Sequence, residues 1–503
     1  MSTAYAISLT GLRGVPVRVE AQLGTGLVQT TIVGLADTAL RESKERLRSA
    51  LQSCQVPSLN RRLTINLSPA SLPKTGSGFD LSIAAAVLSV RGLVDPELLP
   101  GTVFAAELGL DGTVRPIPGI LAHAWSAQDQ GFRRIVVAEE SRAEADQVQG
   151  IEVIGCRHLS QLVQAFQPGG AGWDQFCPPP AVAADPVPGA LADEDVDLNE
   201  VRGQPAARWA ALVAAVGGHH LLLHGEAGSG KTLLAERIGT LLPPLDSHDA
   251  LVLGAMRSAT SSGGTLDRRA PNQIAGPNTT VPALLGGGPR LVRPGLISLA
   301  HGGVLVLNEA PEFPRRVLDA LRGPLDNGEV TIRRTGGVVT FPAQFQLVLT
   351  ANPCGCGPRC HCTPSQRHRY RQRLSGPLLD RIDIQWEMNQ PTLTELERDQ
   401  PISSAEAQQQ VAAARARGRA RWSTWPLNAH VPGRFLRTEG SIPDSFLRVL
   451  ELTVSRGNLS LRGADRILRL AWSIADLAGH QRPTAEDLSS AMTLRLDHPW
   501  GRS

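Results

Sequence analysis

The chain has 503 residues, 42% of them hydrophobic, and a formal net charge of +3. That length holds about three domains with real cores, and so small a charge excludes any nucleic-acid argument from bulk electrostatics, leaving only local clusters to carry one. No apolar run reaches about eighteen residues, and the N-terminus lacks a basic stretch followed by an apolar one, so the sequence reads as a soluble, cytoplasmic protein with no membrane partner.

Residues 1–166 are expected to form an α/β unit. Val15 to Leu23 and Val28 to Val33 alternate as strands, and Asp37 can cap a helix over Thr38 to Gln52. A strand at Arg62 to Leu67, a glycine turn at Thr75 to Gly78 and an apolar helix from Asp80 follow. Next come a strand-turn-strand around Leu108 to Val114, a helix near Leu121 to Gln130 and a strand at Arg134 to Val137. Residues 167–197 are rich in Pro, Gly, Ala and acid and read as a semi-rigid linker, in which Trp173 and Phe176 could dock on a neighbour.

From Leu198 the chemistry concentrates. The run LLLHGEAGSGKT, Leu221 to Thr232, is an apolar strand, then Gly225, four residues and Gly230-Lys231-Thr232. This is a phosphate-binding loop for ATP. Gly225, Gly228, Ser229 and Gly230 let backbone N–H groups curl around phosphates, Lys231 reaches the outer ones, and the Thr232 hydroxyl can ligate Mg²⁺. A second buried strand, Gly303 to Leu307, ends in Asn308-Glu309, where one carboxylate should face the Mg²⁺ water shell and another should orient the attacking water. Glu309 is present, but Asn308 lacks the charge that helps hold the cation.

Between these strands lies a glycine-rich segment made basic by Arg268, Arg269, Arg290 and Arg293. Glu329 to Phe341 reads as a hairpin around Thr335-Gly336-Gly337, with Arg333 and Arg334 near its tip; such a pair suits sliding contact with DNA phosphates, or is a solvated turn. The strand Phe345 to Thr350 leads to Asn352. Cys354, Cys356, Cys360 and Cys362 follow, four of the chain's seven cysteines packed into nine residues. They point to a reducing compartment and are either a tetrahedral Zn²⁺ site, with His361 as a spare ligand at best, or free thiols or a redox pair. Residues 391–503 read as helical: an arginine-rich helix over Glu406 to Trp422, whose basic end either meets nucleic acid or faces water, then helices from Leu461 to Leu477 and from Pro483.

The segments IVGLADTALRESKERLRSAL, INLSPASLPKTGSGFDLSIAAAVLS and LDGTVRPIPGILAHA, with LSGPLLDRID later, resemble the ComM (YifB) family of bacterial Mg-chelatase-like AAA+ proteins. The resemblance covers nearly all of the chain except the linker. It implies an α/β architecture: an N-terminal domain of the Lon-protease-like, ribosomal-S5-domain-2 type (1–166), a central P-loop AAA+ α/β/α domain (198–390) and a C-terminal helical lid (391–503). It makes Asn352 the sensor 1 amide, Arg381 an arginine finger with Asp380 beside it, and Arg462 the sensor 2 arginine. It puts Asp where Asn308 stands and two histidines where Asn272 and Gln273 stand. Gly78 and Leu121 fall where a Lon-type serine and lysine would be, so a scaffold is expected rather than a peptidase, with Ser77 and Lys74 nearby.

The resemblance further implies a homo-hexameric ring with ATP sites between subunits, driving movement on single-stranded or branched DNA, alongside recombination proteins, in branch migration during natural transformation. Two other readings remain open: a Mg-chelatase-like ATPase subunit that remodels a protein partner, and a scaffold on DNA that binds ATP and hydrolyses it slowly if at all.

Overall fold

The computed structural model describes residues 1–34, 38–57, 61–70, 72, 74, 76–167, 172, 196–260, 266–288, 292–334, 337–356, 360–438, 442–457, 459–497 and 500, with backbone only for 38–41. Nearly all of the expected linker, with Trp173 and Phe176, lies outside the described residues, as do Asp37, Thr75, Arg290 and the hairpin turn at 335–336.

The N-terminal unit is built on seven strands: β1 (Ser2–Thr10), β2 (Arg13–Gly24), β3 (Thr30–Val33), β4 (Arg62–Ser68), β5 (Thr102–Ala105), β6 (Arg134–Ala138) and β7 (Glu152–Cys156). They lie in the order β3-β4-β2-β1-β5-β6-β7. β2 runs antiparallel to both β1 and β4, and the remaining pairs are parallel. Alternation buries Ala4 and Ala6 of β1 opposite Val19 and Val17 of β2, which sets the register. The helices packed here include α1 (Thr38–Ser53), α2 (Asp80–Val90) and α3 (Ile120–Asp129). α2 is apolar on every side and almost wholly buried. Its one carboxylate, Asp80, accepts from Arg46 Nε at 2.6 Å and the Leu108 N–H at 3.2 Å, with Ser43 as a third donor, tying α1 to α2.

The second unit has a five-stranded, all-parallel sheet. Its strands are β8 (Leu221–His224), β9 (Asn272–Ala275), β10 (Val304–Leu307), β13 (Gln346–Ala351) and β14 (Ile384–Glu387); β11 (Glu329–Arg334) and β12 (Gly337–Pro342) form a separate hairpin. The order β9-β10-β13-β8-β14 sets the strand entering the P-loop between the strands ending at Asn352 and at Met388. β8, β10 and β13 are buried throughout, as parallel strands covered by helices on both faces should be. Flanking helices include α4 (Pro205–Gly217), α5 (Lys231–Arg237) and α6 (Ser247–Ser258). The C-terminal part is helical, led by α7 (Ser404–Arg421), α8 (Leu461–Ala478) and α9 (Ala485–Leu496). α8 buries Ile467, Leu468, Leu470, Ala471, Trp472 and Ile474 along one face, in a core shared with α4 and α7.

The two units dock on each other. α3 packs against α6, where the Gly119 N–H donates to Ser258 O at 3.0 Å and Trp125 meets His248 edge-on at 5.9 Å. One apolar cluster joins Ile7, Leu12 and Leu121 of the first unit to Leu253 and Met256 of α6 and to Val339 and Phe341 of β12. Gly11, at φ 67°, is needed there, since a Cβ would stand 2.9 Å from Val339 Cγ1. Among the described residues no helix is long and apolar enough to cross a membrane.

Candidate functional site

The P-loop joins β8 to α5. Gly225, Gly228 and Gly230 adopt φ of 144°, 84° and 89°, open only to residues without a Cβ. At Gly225 the reason is doubled, because a Cβ would sit 2.0 Å from the carbonyl oxygen of Met388. Two glutamines brace the loop from behind: Gln204 Nε2 donates to Ser229 O at 3.2 Å, and Gln390 Nε2 donates to Ala227 O at 3.0 Å. Lys231 is 7% exposed, and its Nζ donates to Glu226 O at 2.6 Å and to Ser229 Oγ at 3.3 Å. Burial pulls its ammonium down to about 8, against the opposing pull of Glu226 and Glu309. A desolvated cation folded over a glycine loop fits an anionic phosphate. Thr232, on the first turn of α5, is exposed.

The end of β10 faces this loop. Asn308 Oδ1 accepts from Thr350 Oγ1 at 3.3 Å, and the same Thr350 hydroxyl accepts the Glu309 N–H at 3.0 Å. Glu309 is exposed and left-handed at φ 55°, ψ 47°, one of two described non-glycine residues with positive φ. Such a backbone costs about 1 kcal/mol or more and turns its carboxylate off the strand direction. Asn308 Nδ2 lies 3.5 Å from Glu236 Oε1 of α5. Thr232, Asn308, Glu309 and Glu236 offer hard oxygens, the donors a Mg²⁺ ion takes. No sequence motif marks Glu236; its only signal is a position four residues after Thr232, on the same helix face.

Asn352 lines a cleft with Glu226, Ala227, Pro353, Cys354, Cys360 and Gln390, so the cysteine cluster borders the P-loop. The four Sγ atoms of Cys354, Cys356, Cys360 and Cys362 all lie within 4.8 Å of one another, and all four thiols are free. Separations of 2.9 Å (Cys354–Cys356), 3.1 Å (Cys354–Cys360) and 3.4 Å (Cys356–Cys362) exceed a disulfide bond. These three fall below the roughly 3.8 Å that four thiolates keep around a zinc with ~2.3 Å bonds, and the 4.8 Å outer limit of the set lies above it. A hydrogen bond from Cys354 draws the Cys360 thiol down to about 6.

The arginines separate into groups. Arg381 donates from Nε to Asp326 Oδ1 at 2.8 Å and from a second nitrogen to Oδ2, so its partner is Asp326 rather than the adjacent Asp380. Asp380 instead accepts from Arg462 Nη1 at 3.4 Å, bringing both arginines to one surface. Neither is hydrogen-bonded to the P-loop among the described residues. Arg333 and Arg334 stand exposed at the end of β11, opposite Val338 and Gly337, with no acidic partner among the described residues. Asn272 and Gln273 begin β9, and Asn272 Nδ2 donates to Glu236 O at 2.7 Å, so they belong to the sheet edge rather than to a loop.

The basic end of α7 is only partly a free face: Arg417 and Arg419 are exposed, while Arg415 and Arg421 are half-buried. Arg415 donates twice to Ala215 O at the end of α4 (2.6 and 3.0 Å), Arg417 donates to Asp476 O at 2.6 Å, and Arg421 pairs with buried Asp476 while lying 3.8 Å over the Trp472 ring. These contacts lock α7 onto the helices beside it and withdraw Arg415 and Arg421 from the basic face, while Arg417 and Arg419 keep an exposed surface. In the N-terminal unit Ser77 donates to Glu107 and Lys74 to Pro69 O, while Leu121 is fully buried. A serine activated by a lysine is therefore not assembled at these residues.

The chain matches three family profiles in order: "Subunit ChlI of Mg-chelatase" over residues 19–141, "Magnesium chelatase, subunit ChlI" over 197–396, and "Magnesium chelatase, subunit ChlI C-terminal" over 401–495. With the parallel sheet, the glycine loop and the helical C-terminal region, these define a Mg-chelatase-like AAA+ protein. An uncharacterized protein of Mycobacterium tuberculosis is 40% identical, covering 98% of both chains. YifB of Escherichia coli is 36% identical, and competence protein ComM of Haemophilus influenzae 33%, each over 98% of this chain and 97% of the relative. The chain belongs to the family of YifB and ComM.

Proposed function

We propose that this chain binds and hydrolyses ATP with Mg²⁺ as a ring-forming motor acting on DNA. The observation that carries the DNA part is the unpaired, exposed Arg333–Arg334 step at the end of a hairpin whose base is fixed in the core. Two neighbouring cations at the end of a strand suit successive phosphates, a contact that needs charge but no base readout. The name of the H. influenzae relative, a competence protein, supports work on incoming DNA. In this reading the P-loop holds the phosphates, Glu309 orients the attacking water, and Asn352 hydrogen-bonds the outer phosphate. Arg381 and Arg462, gathered on one surface, leave their in-chain acids to meet the nucleotide of a neighbouring subunit, most simply in a homo-hexamer. Recombination proteins are the natural co-workers, and the site of action is the cytoplasm.

The test is steady-state ATP hydrolysis with and without single-stranded or forked DNA, beside DNA binding across a salt series. An Arg333→Ala/Arg334→Ala variant should keep basal turnover and lose DNA stimulation, and its log–log salt slope should fall by about 0.7 per arginine removed. Unchanged stimulation would reject the hairpin as the DNA contact. Asn308 favours a second reading, an ATP-gated scaffold with slow turnover, which predicts nucleotide binding with no DNA-stimulated hydrolysis.

The cysteine cluster is assigned a structural zinc, whose donors fit on geometry and chemistry. Protein purified under reducing conditions should carry about one zinc per chain by mass spectrometry. Cys356→Ser should lose most of it and lower the melting midpoint, whereas wild type that carries no zinc, or whose midpoint chelation leaves unchanged, would refute the assignment.

A further inference from the structure

We infer that Glu236 supplies the acidic group of the divalent-cation site, so that the carboxylate missing from the end of β10 stands instead on the helix leaving the P-loop. This rests on the ATP and Mg²⁺ reading above and adds a residue that no phosphate-loop motif contains. Three observations carry it. Thr232 and Glu236 are four residues apart in α5, so both project from one helix face, within about 6 Å of each other at Cβ. Glu236 Oε1 is 3.5 Å from Asn308 Nδ2, so the carboxylate lies against the residue whose own charge is absent. The main chain of Glu236 is also held, since its carbonyl accepts from Asn272 Nδ2 at 2.7 Å.

The arrangement explains why an amide is tolerated at 308. An aspartate there would set two carboxylates about one hydrogen bond apart, both needing donors and repelling each other. The amide instead donates to Glu236, while its oxygen accepts from the Thr350 hydroxyl. Asn308 and Glu236 together carry one negative charge, the same formal charge that a lone aspartate at the end of β10 would bring. A hard cation beside Thr232 meets an equivalent field from the neighbouring helix.

The experiment uses the full chain and four sequences: wild type, Glu236→Gln, Asn308→Asp and the double variant. A fluorescent ADP analogue is titrated in EDTA, and Mn²⁺ binding to each ADP complex is then measured by electron paramagnetic resonance. Glu236→Gln should bind ADP in EDTA within about twofold of wild type, yet hold Mn²⁺ about 10- to 100-fold more weakly. The double variant should recover Mn²⁺ affinity to within a few-fold, because it returns the single charge to β10. Asn308→Asp alone should melt earlier in EDTA, from the unrelieved carboxylate pair. Unchanged Mn²⁺ affinity in Glu236→Gln, no recovery in the double variant, or loss of ADP binding in EDTA on Glu236→Gln would each overturn the assignment. Wild type that fails to bind ADP under any condition would instead remove the nucleotide reading itself.

Discussion

Lys231→Ala should reduce ATP turnover by on the order of 100- to 1,000-fold, the usual cost of deleting a donor aimed at developing charge in a site shielded from water. The side chain is 7% exposed and bonded to Glu226 O and Ser229 Oγ, so its ammonium has already left water and is held at the loop. The same burial means that the cation contributes nothing to folding in the empty protein. Its folded value of about 8 lies below the ordinary lysine value, so the unfolded chain binds the proton more tightly and charge on Lys231 opposes folding at neutral pH. Lys231→Ala should therefore melt no earlier than wild type, separating lost chemistry from lost fold. Lys231→Arg should not rescue, since a planar fork replaces a compact point charge inside a tight loop. ADP affinity measured in EDTA should decline as pH rises through about 8, where the free protein's ammonium discharges. Turnover within tenfold of wild type in Lys231→Ala would take the P-loop out of the mechanism.

Asp383→Ala should destabilise the chain by about 3–5 kcal/mol, the penalty for leaving a buried charge without its partner. Asp383 is 4% exposed just before β14; Oδ2 accepts the His220 N–H at 3.0 Å, Oδ1 accepts from Arg466 of α8 at 3.2 Å, and His219 Nδ1 lies 3.7 Å away. Burial alone would raise its carboxyl, but the facing His219 ring and the Arg466 charge hold it well below the usual carboxylate range. This contribution is complete above about pH 4, the unfolded value, and is lost only as pH falls below it. Neighbouring His220 acts in a higher window. Burial, against the opposing pull of Asp383, brings it down to about 4, and its Nδ1 accepts the Leu347 N–H at 3.1 Å. Between about pH 6.5 and 4 the unfolded chain takes up a proton that the folded chain refuses. Stability should thus fall across that window by on the order of 3 kcal/mol or less from this ring. Denaturant midpoints for wild type and His220→Asn from pH 8 to 4.5 test this, and a flat wild-type profile would refute it.

What could be read from sequence follows from how local each signal is. The P-loop was legible because strand, glycines, lysine and threonine are contiguous, and the positive φ of Gly225, Gly228 and Gly230 is what such a loop demands. The hairpin was legible from two alternating runs flanking Thr335-Gly336-Gly337, and its strands pair as expected, with 335–336 outside the described residues. β9 and β14 were not, because NQIA and IQWE are short, partly polar edge strands whose identity depends on distant partners. β1 was missed because its inward positions include alanines too small to raise a period-two signal. Charges were hardest to read. Arg381 finds Asp326 at a separation of 55 residues, and Arg421 finds Asp476 at the same separation. A basic run therefore read as one uniform face where the fold uses Arg415 and Arg421 for anchoring and leaves Arg417 and Arg419 exposed. Glu236 was invisible for a related reason: its meaning comes from Asn308, 72 residues later, across a strand crossover.

The shared core at the foot of the hairpin carries a mechanical consequence. Val339 and Phe341 are clamped between α6 and the first turn of the N-terminal unit. Phe341 pairs with Val330 near the base, but Val339 pairs with Ile332, next to Arg333, so the hairpin is held along most of its length and cannot pivot without shearing both bodies. In the proposed motor, travel of Arg333 and Arg334 would come from rotation of the whole block, with the N-terminal unit carried along as part of its mass. The contacts between the two units belong to described residues on either side, so they would remain after the chain is cut between the units.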